Sequence, residues 1–357
     1  MRAIALIEAP DHVCSRYRIA PFRPAIEAVG GSLAIEPLER RPWARLAQLA
    51  SLSRYDVVVL QRKLLPGWQL AVLRKFARRL VFDFDDAVIH RDSNDPRGPH
   101  CPRRASRFRS LMRVVDGVIA GNSYLAQLAQ DSGARSASIR VIPTCIEVGD
   151  DPVRFALPVS EGIRLVWIGS SGTLSGLERK RAIWEHVGRV IPGARLRVIC
   201  DRFPSFPPLP IEAVPWDAGT ERERLATSDV GISWIPDDLW SRGKCGLKVL
   251  QYMAAGLPVV ANPVGVHPEM IIAGETGLLA DSPGEWVEAV RELAEHPARR
   301  LEMGRSARIR VERCYSTAAW SQAFASFVLG SSSIPGPKST AAKLSEVARS
   351  ESGEASP

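Results

Sequence analysis

The segment from Trp240 to Gly265 reads Trp-Ser-Arg-Gly-Lys-Cys-Gly-Leu-Lys-Val-Leu-Gln-Tyr-Met-Ala-Ala-Gly-Leu-Pro-Val-Val-Ala-Asn-Pro-Val-Gly. A polar loop with glycines runs straight into a stretch that is apolar almost all round. Lys248 and Gln251 are the strongly polar side chains of that stretch, and their spacing of three puts them on one face of a helix, near its start. A helix that is apolar on every side is a buried one, so an ammonium and an amide on one of its faces call for a ligand. The unpaired N–H groups and positive dipole end of a helix N-terminus favour an anion such as phosphate. The segment therefore reads as a diphosphate cradle. The amides of Gly246 and Leu247, the Lys248 ammonium and the loop residue Lys244 meet negative charge, and two side chains aim at a nucleotide.

Three further stretches carry groups that suit such a ligand. In Ile168-Gly-Ser-Ser-Gly-Thr173, Gly169 and Ser170 end a strand with small residues, which let backbone approach a phosphate closely. Asp83-Phe-Asp-Asp86 ends another apolar run. Carboxylates at Asp85 and Asp86 suit hydroxyl binding, proton handling or a cationic sugar centre; they equally suit capping the next helix. The same D-x-D pattern opens phosphatases of the haloacid dehalogenase type, but the threonine or valine expected at Ala87 is missing. Ser15-Arg16-Tyr17-Arg18 follows the first strand, and Arg16 or Arg18 can bind an acidic acceptor. Trp240 either stacks on a ligand or anchors its loop. The six histidines show no metal-ligand spacing.

Two series of short β-rich runs alternate with helical stretches. Ala3–Ile7, Val57–Leu60, Leu80–Phe84, Val118–Ala120 and Ile139–Ile142 read as strands of the first series, with helices near 19–29, 66–78, 103–115 and 123–130. Arg164–Ile168, Arg195–Cys200, Glu212–Val214, Val230–Trp234 and Pro258–Ala261 form the second, with helices near 174–190, 220–227, 246–255 and 284–295. This alternation predicts parallel sheets with helices on both faces. Two such halves make a cleft where strand C-termini meet. The 357-residue chain has room for both cores.

The formal charge of +8 is local: residues 62–113 hold thirteen Lys/Arg and five Asp/Glu, and the rest is neutral. Such a patch fits an anionic partner; no nucleic-acid motif or aromatic stacking platform accompanies it. Six cysteines without C-x-x-C pairs read as reduced thiols in a cytosolic protein. Met1–Pro10, interrupted by Glu8, is not read as a signal peptide, and no run reaches membrane-span length.

Lys248-Val-Leu-Gln-Tyr-Met-Ala-Ala-Gly-Leu-Pro-Val-Val-Ala261 resembles the donor-site helix and following strand of GT-B glycosyltransferases of the family 4 type, also called group 1. Gly265-Val-His-Pro-Glu269, Gly274-Glu-Thr-Gly-Leu-Leu-Ala280, Glu285-Trp286, Met303-Gly304 and Val311-Glu-Arg-Cys-Tyr-Ser316 extend the resemblance. Arg16, Arg18, Asp83–Asp86 and Gly121-Asn122-Ser-Tyr-Leu125 carry it more loosely into the first half. The resemblance implies α/β GT-B architecture: two Rossmann-like, doubly wound domains facing a central cleft. An acceptor domain would occupy 1–145, a linker 146–162, a nucleotide-sugar donor domain 163–314, a helix returning to the first domain 315–329, and a disordered tail 330–357.

It further implies sugar transfer from a nucleotide-diphosphate sugar to a hydroxyl acceptor, with retention, without a metal and without a cofactor beyond the co-substrate. Lys248, Asp85 and Asp86 would be catalytic. Gly169, Ser170, Lys244, Gly246, Leu247 and Gln251 would bind the donor, with Gln251 on the ribose. Arg16, Arg18 and Asn122 would line the acceptor side. The basic segment would meet anionic lipid at the inner membrane face and bring a lipid-linked or anionic acceptor. One departure stands out. The family's Glu-x7-Glu pair falls here on Gly243 and Gln251. This leaves a catalytically silent nucleotide-sugar-binding or partner subunit as the alternative.

Overall fold

The computed structural model describes residues 1–149, 162–331 and 336–337. The expected linker and tail lie largely outside these residues. The first half runs β1 (Arg2–Ile7), α1 (Val13–Arg18), α2 (Arg23–Ala28), β2 (Ser32–Pro37), α3 (Pro42–Ala50), β3 (Val57–Gln61), α4 (Gly67–Phe76), β4 (Arg79–Phe84), α5 (Pro102–Met112), β5 (Gly117–Ala120), α6 (Ser123–Asp131) and β6 (Ile139–Val141). The second runs β7 (Arg164–Ile168), α7 (Ser171–Glu178), α8 (Arg181–Val190), β8 (Arg195–Cys200), β9 (Ile211–Pro215), α9 (Glu221–Ala226), β10 (Val230–Ser233), α10 (Leu247–Ala254), β11 (Val259–Ala261), α11 (His267–Met270), β12 (Gly277–Leu279), α12 (Pro283–Glu295), α13 (Pro297–Cys314) and α14 (Thr317–Leu329).

Each half holds a parallel six-stranded sheet, ordered β2-β1-β3-β4-β5-β6 in the first and β12-β11-β10-β7-β8-β9 in the second. Sheets covered on both faces need continuous apolar strands, and β1 and β3 are such runs. Their alternate residues serve opposite faces: Ile4 and Leu6 join the α3–α6 side, and Ala3, Ala5 and Ile7 the side of α2 and α14. The second sheet is likewise buried between two clusters.

Several elements depart from the expected ones. The helix near 19–29 is instead α1, a 3-10 turn over Ala20–Phe22, and α2. Pro21 and Pro24 stand at the start of the last two, where a missing N–H is harmless, and each ends the turn before it. The expected helix over 174–190 breaks into α7 and α8, and the Trp184 indole donates to Leu177 O at the break. Strand β2 and helix α3, absent from the sequence reading, lie at the half-exposed edge of the first sheet.

Helix α14 starts at a Ser316 cap, ends at left-handed Gly330 and packs on the first half. Phe324 stacks on Phe22 with centroids 4.2 Å apart, and Arg79 donates to the Phe327 and Val328 carbonyls. Among the described residues, no helix is long and apolar enough to cross a membrane.

Candidate functional site

In a doubly wound sheet, the loops leaving neighbouring strands diverge where the strand order reverses, and a crevice opens at the strand C-termini. Those points lie between β1 and β3 and between β7 and β10. The two crevices share one cavity of about 620 Å³. Its wall takes Arg16, Tyr17, Arg62, Asp85 and Asp86 from the first half, and Gly169, Ser170, Lys244, Gly246, Leu247, Lys248 and Gln251 from the second.

Lys248 is the second residue of α10, and its Nζ lies 4.3 Å from the centroid of the Trp167 ring. Burial there, with Lys244 nearby, lowers its pKa to about 7. Gly246 caps α10 in the left-handed region (φ 66°), which turns the loop sharply into the helix. The first amides of α10 have no partner within the helix, and they open on the cavity beside Lys248 and Lys244. Ser170 is the N-cap residue of α7 on the same cavity wall, and Gly169 admits no side chain because a Cβ would meet the Trp167 ring at 2.6 Å. His267, also on the wall, is a structural residue: burial lowers its pKa to about 4, and its ring bonds Ser233 Oγ and Asn262 O.

The acidic cluster differs from the expectation. Arg62 alone among non-glycine described residues has a positive φ (56°), a conformation that costs on the order of 1–3 kcal/mol. That turn carries its guanidinium to Asp85 Oδ1 at 3.0 Å and Asp86 Oδ2 at 2.7 Å. Asp85 and Asp86 do line the cavity, but both are ion-paired to Arg62 rather than free carboxylates. Burial works against ionisation of both. At Asp85 the Arg62 and Arg18 guanidinium groups prevail and the carboxyl lies below its ordinary value; at Asp86 burial prevails and it lies above.

Two residues expected in the cleft are committed elsewhere. Arg18 is 2% exposed; it forks onto Asp83 with contacts of 2.6–3.1 Å and donates to Ile142 O. It ties α1 to β4 and the β6 end and is shut off from solvent, so it is a core residue. Asn122 caps α6 through Leu125 N, while its amide donates to Gly243 O and Lys244 O at 3.2 Å each. It is a strut between the halves rather than an acceptor contact.

That strut belongs to a close seam. Cys245, from the loop before α10, is buried among the core residues of the first half. A Cβ on Gly243 would stand 2.6 Å from Ala87 N. The position where the resemblance expects a sugar-binding glutamate is occupied by backbone-to-backbone packing. Across the cavity mouth, Asn94 Oδ1 accepts from Arg179 and Ser175, and Ser93 bonds Asp238 and Ser241.

Gln251 is not free either. Its amide donates to Glu221 Oε1 at 2.5 Å, and the Trp216 indole donates to Oε2 of the same carboxylate at 2.6 Å. Glu221, Trp216 and Arg62 all line the cavity and were missed by the sequence reading. Arg62 had one signal, a charge directly after a buried strand; Trp216 and Glu221 had none, because their partners come from other elements. Trp240 is absent from the cavity wall and carries Lys244 Nζ at 5.9 Å from its ring centroid, as a loop anchor does.

Residues 222–296, which include the α10 cradle, match the family model described as Glycosyl transferases group 1. Among sequence relatives, D-inositol 3-phosphate glycosyltransferase of Pseudarthrobacter chlorophenolicus is 44% identical over 69 residues, which are 19% of this chain and 16% of the relative. That of Corynebacterium glutamicum is 40% identical over 76 residues, 21% of this chain and 18% of the relative. The chain thus spans less than a fifth of the length of these relatives. Among solved structures, HepE of Anabaena in complex with UDP and glucose superposes with a TM-score of 0.65 at 14% identity, over 91% of this chain and 98% of that one. Sucrose-phosphate synthase of Thermosynechococcus elongatus gives 0.63 at 15%, over 99% and 100%.

Proposed function

We propose that this chain, which has the GT-B fold and carries a group 1 glycosyltransferase segment around α10, transfers a sugar from a nucleoside-diphosphate sugar to a hydroxyl acceptor. The observation that carries the reading is the meeting of the Lys248 ammonium and the α10 N-terminus in a cavity walled by both halves. In the proposed reaction the bond from the anomeric carbon to the diphosphate breaks as the acceptor oxygen bonds to that carbon on the same face. The departing diphosphate oxygen takes the acceptor proton, so configuration is retained and no protein nucleophile is needed. Lys248, Lys244 and the first amides of α10 stabilise the charge that develops on the diphosphate. The carboxylates that a metal would need are held by Arg18 and Arg62. The Arg62-bound Asp85 and Asp86 orient a hydroxyl rather than abstract its proton. The UDP and glucose bound by HepE support a nucleotide sugar as the donor.

A thermal-shift panel of nucleotide sugars tests the reading: a ligand of the folded state raises its midpoint. The Lys248 environment adds a pH signature. Because the free ammonium loses its proton near pH 7, while a bound diphosphate favours the charged form, binding takes up a proton at higher pH. Affinity for the nucleoside diphosphate falls between pH 7 and 9, by up to roughly tenfold per unit. Calorimetric titrations at pH 7, 8 and 9 check this; a flat profile removes Lys248 as the anion contact.

The acceptor side of the reading includes an anionic membrane surface at a cytoplasmic face. The six free cysteines support a reducing compartment. The basic patch is thinner than its composition, since Arg62, Arg74, Arg78, Arg91 and Arg97 pair with aspartates. Trp43 (81% exposed), Trp68 (52%) and exposed Arg103 are the second residues of the neighbouring helices α3, α4 and α5. Tryptophan beside arginine suits a lipid headgroup layer. Flotation with vesicles containing phosphatidylglycerol is expected to recover the protein. Trp43→Ser with Trp68→Ser lowers recovery roughly tenfold, at on the order of 1.5 kcal/mol or less per aromatic. Equal recovery with neutral and anionic vesicles at low salt removes the membrane surface from the reading.

A further inference from the structure

Glu221 differs from Asp85 and Asp86, the ion-paired carboxylates of the same cavity wall. Its carboxylate is held not by a cation but by two neutral donors, the Gln251 amide on one oxygen (2.5 Å) and the Trp216 indole on the other (2.6 Å). Tyr17, from the first half, is hydrogen-bonded with Gln251, and Arg16 lies 5.9 Å over the Trp216 ring. The carboxylate is thus held by donors from two segments, and α1 meets both donors. A carboxylate accepts about four hydrogen bonds; each oxygen therefore retains capacity for one more donor. What completes it is a ligand with two adjacent O–H groups.

The position says which. Gln251 follows Lys248 by three residues, so it stands about one helical turn, or ~4.5 Å along the axis, from the ammonium that meets the diphosphate. In a nucleoside 5′-diphosphate the group at that remove from the phosphates is the pentose, and its 2′- and 3′-hydroxyls form a vicinal diol. We propose that Glu221, positioned by Gln251 and Trp216, accepts hydrogen bonds from the ribose 2′- and 3′-hydroxyls and makes the site select ribonucleotides over 2′-deoxyribonucleotides. The inference rests on the donor-site reading above. It makes Gln251 a positioning residue and moves the diol contact from α10 to α9.

The test is calorimetric. The tightest binder among UDP, GDP and ADP is titrated alongside its 2′-deoxy form into the wild type, Glu221→Gln, and Trp216→Phe. The last keeps the ring but not the N–H and guards against a misfolded first variant. The wild type is expected to prefer the ribonucleotide by tenfold or more, since a hydrogen bond to a charged group carries a difference of that order. Glu221→Gln brings the ratio to about threefold or less by weakening the ribonucleotide, and Trp216→Phe moves it the same way. An unchanged ratio in folded Glu221→Gln, or a wild type that binds both forms equally, overturns the assignment. A folded wild type that binds none of the three diphosphates overturns instead the donor-site reading beneath it.

Discussion

Replacing Lys248 by alanine or methionine is expected to lower kcat by about 10²–10³-fold while changing KM for the uncleaved nucleotide sugar, whose diphosphate carries less charge than the departing one, far less. The reason is where and when its charge is used. A diphosphate leaving the anomeric carbon gains negative charge in the transition state, and only interactions that strengthen there accelerate the step. The Lys248 ammonium has been drained of hydration against Trp167, with its pKa lowered to about 7. A desolvated charge of this kind interacts strongly with an incoming anion because little water must be displaced at the moment of reaction. Folding does not depend on it: methionine keeps the contact with the ring and removes a desolvated ammonium, so the thermal midpoint should not fall. Steady-state kinetics with a melting curve for each variant check both halves of the statement. Similar, small changes in kcat and KM would place Lys248 outside the reacting centre.

Glutamate at position 243 is expected to reduce activity at least tenfold, although it restores the pattern that the sequence resemblance anticipates. The added Cβ would stand 2.6 Å from Ala87 N, 2.8 Å from Ala87 Cβ and 3.0 Å from Leu125 Cδ2. Backbone cannot swing aside as a flexible side chain can, so the loop or the halves must move. Overpacking of this kind costs about 1–3 kcal/mol, and the groups displaced are those that hold the seam. Cys245 leaves the first core, and the Asn122 amide loses the carbonyls of Gly243 and Lys244. The cradle on α10 would then lose its register with the first half, and catalysis is sensitive to displacements of about 1 Å. Gly243→Ala moves in the same direction by less. Limited proteolysis and small-angle scattering should report a more open molecule. A Gly243→Glu protein with wild-type turnover and unchanged protease sensitivity would show that the seam is not tight.

The two α/β halves were legible because parallel strands buried on both faces are apolar runs, and because turns and helices separate them at regular intervals. The α10 cradle was legible for a related reason: Lys248 and Gln251 break an otherwise apolar helix, and a polar pair there is conspicuous. Features set by contacts between distant segments were not legible. Nothing in the composition of β3 says that Arg62 takes a left-handed turn to reach Asp85 and Asp86. Glu221 is one of two acidic residues in α9, and only the approach of Gln251 and Trp216 distinguishes it. Arg18 looked like a cleft residue by position, yet Asp83 claims it in the core. Gly243 read as a missing side chain; in three dimensions it is a contact. The edge strand β2 escaped notice because it is short and half-exposed, so its apolar pattern is weak.

The central claim is that the cavity holds a nucleoside-diphosphate sugar whose diphosphate departs against Lys248. The most direct measurement is release of nucleoside diphosphate when the purified protein is incubated with individual nucleotide sugars, beside Lys248→Met as the paired control. At least one nucleotide sugar is expected to be consumed by the wild type, through slow hydrolysis or transfer to a supplied acceptor, with the variant's rate lower by about two orders of magnitude or more. Consumption at equal rates by both proteins, or a folded wild type that neither binds nor consumes any nucleotide sugar, would contradict it.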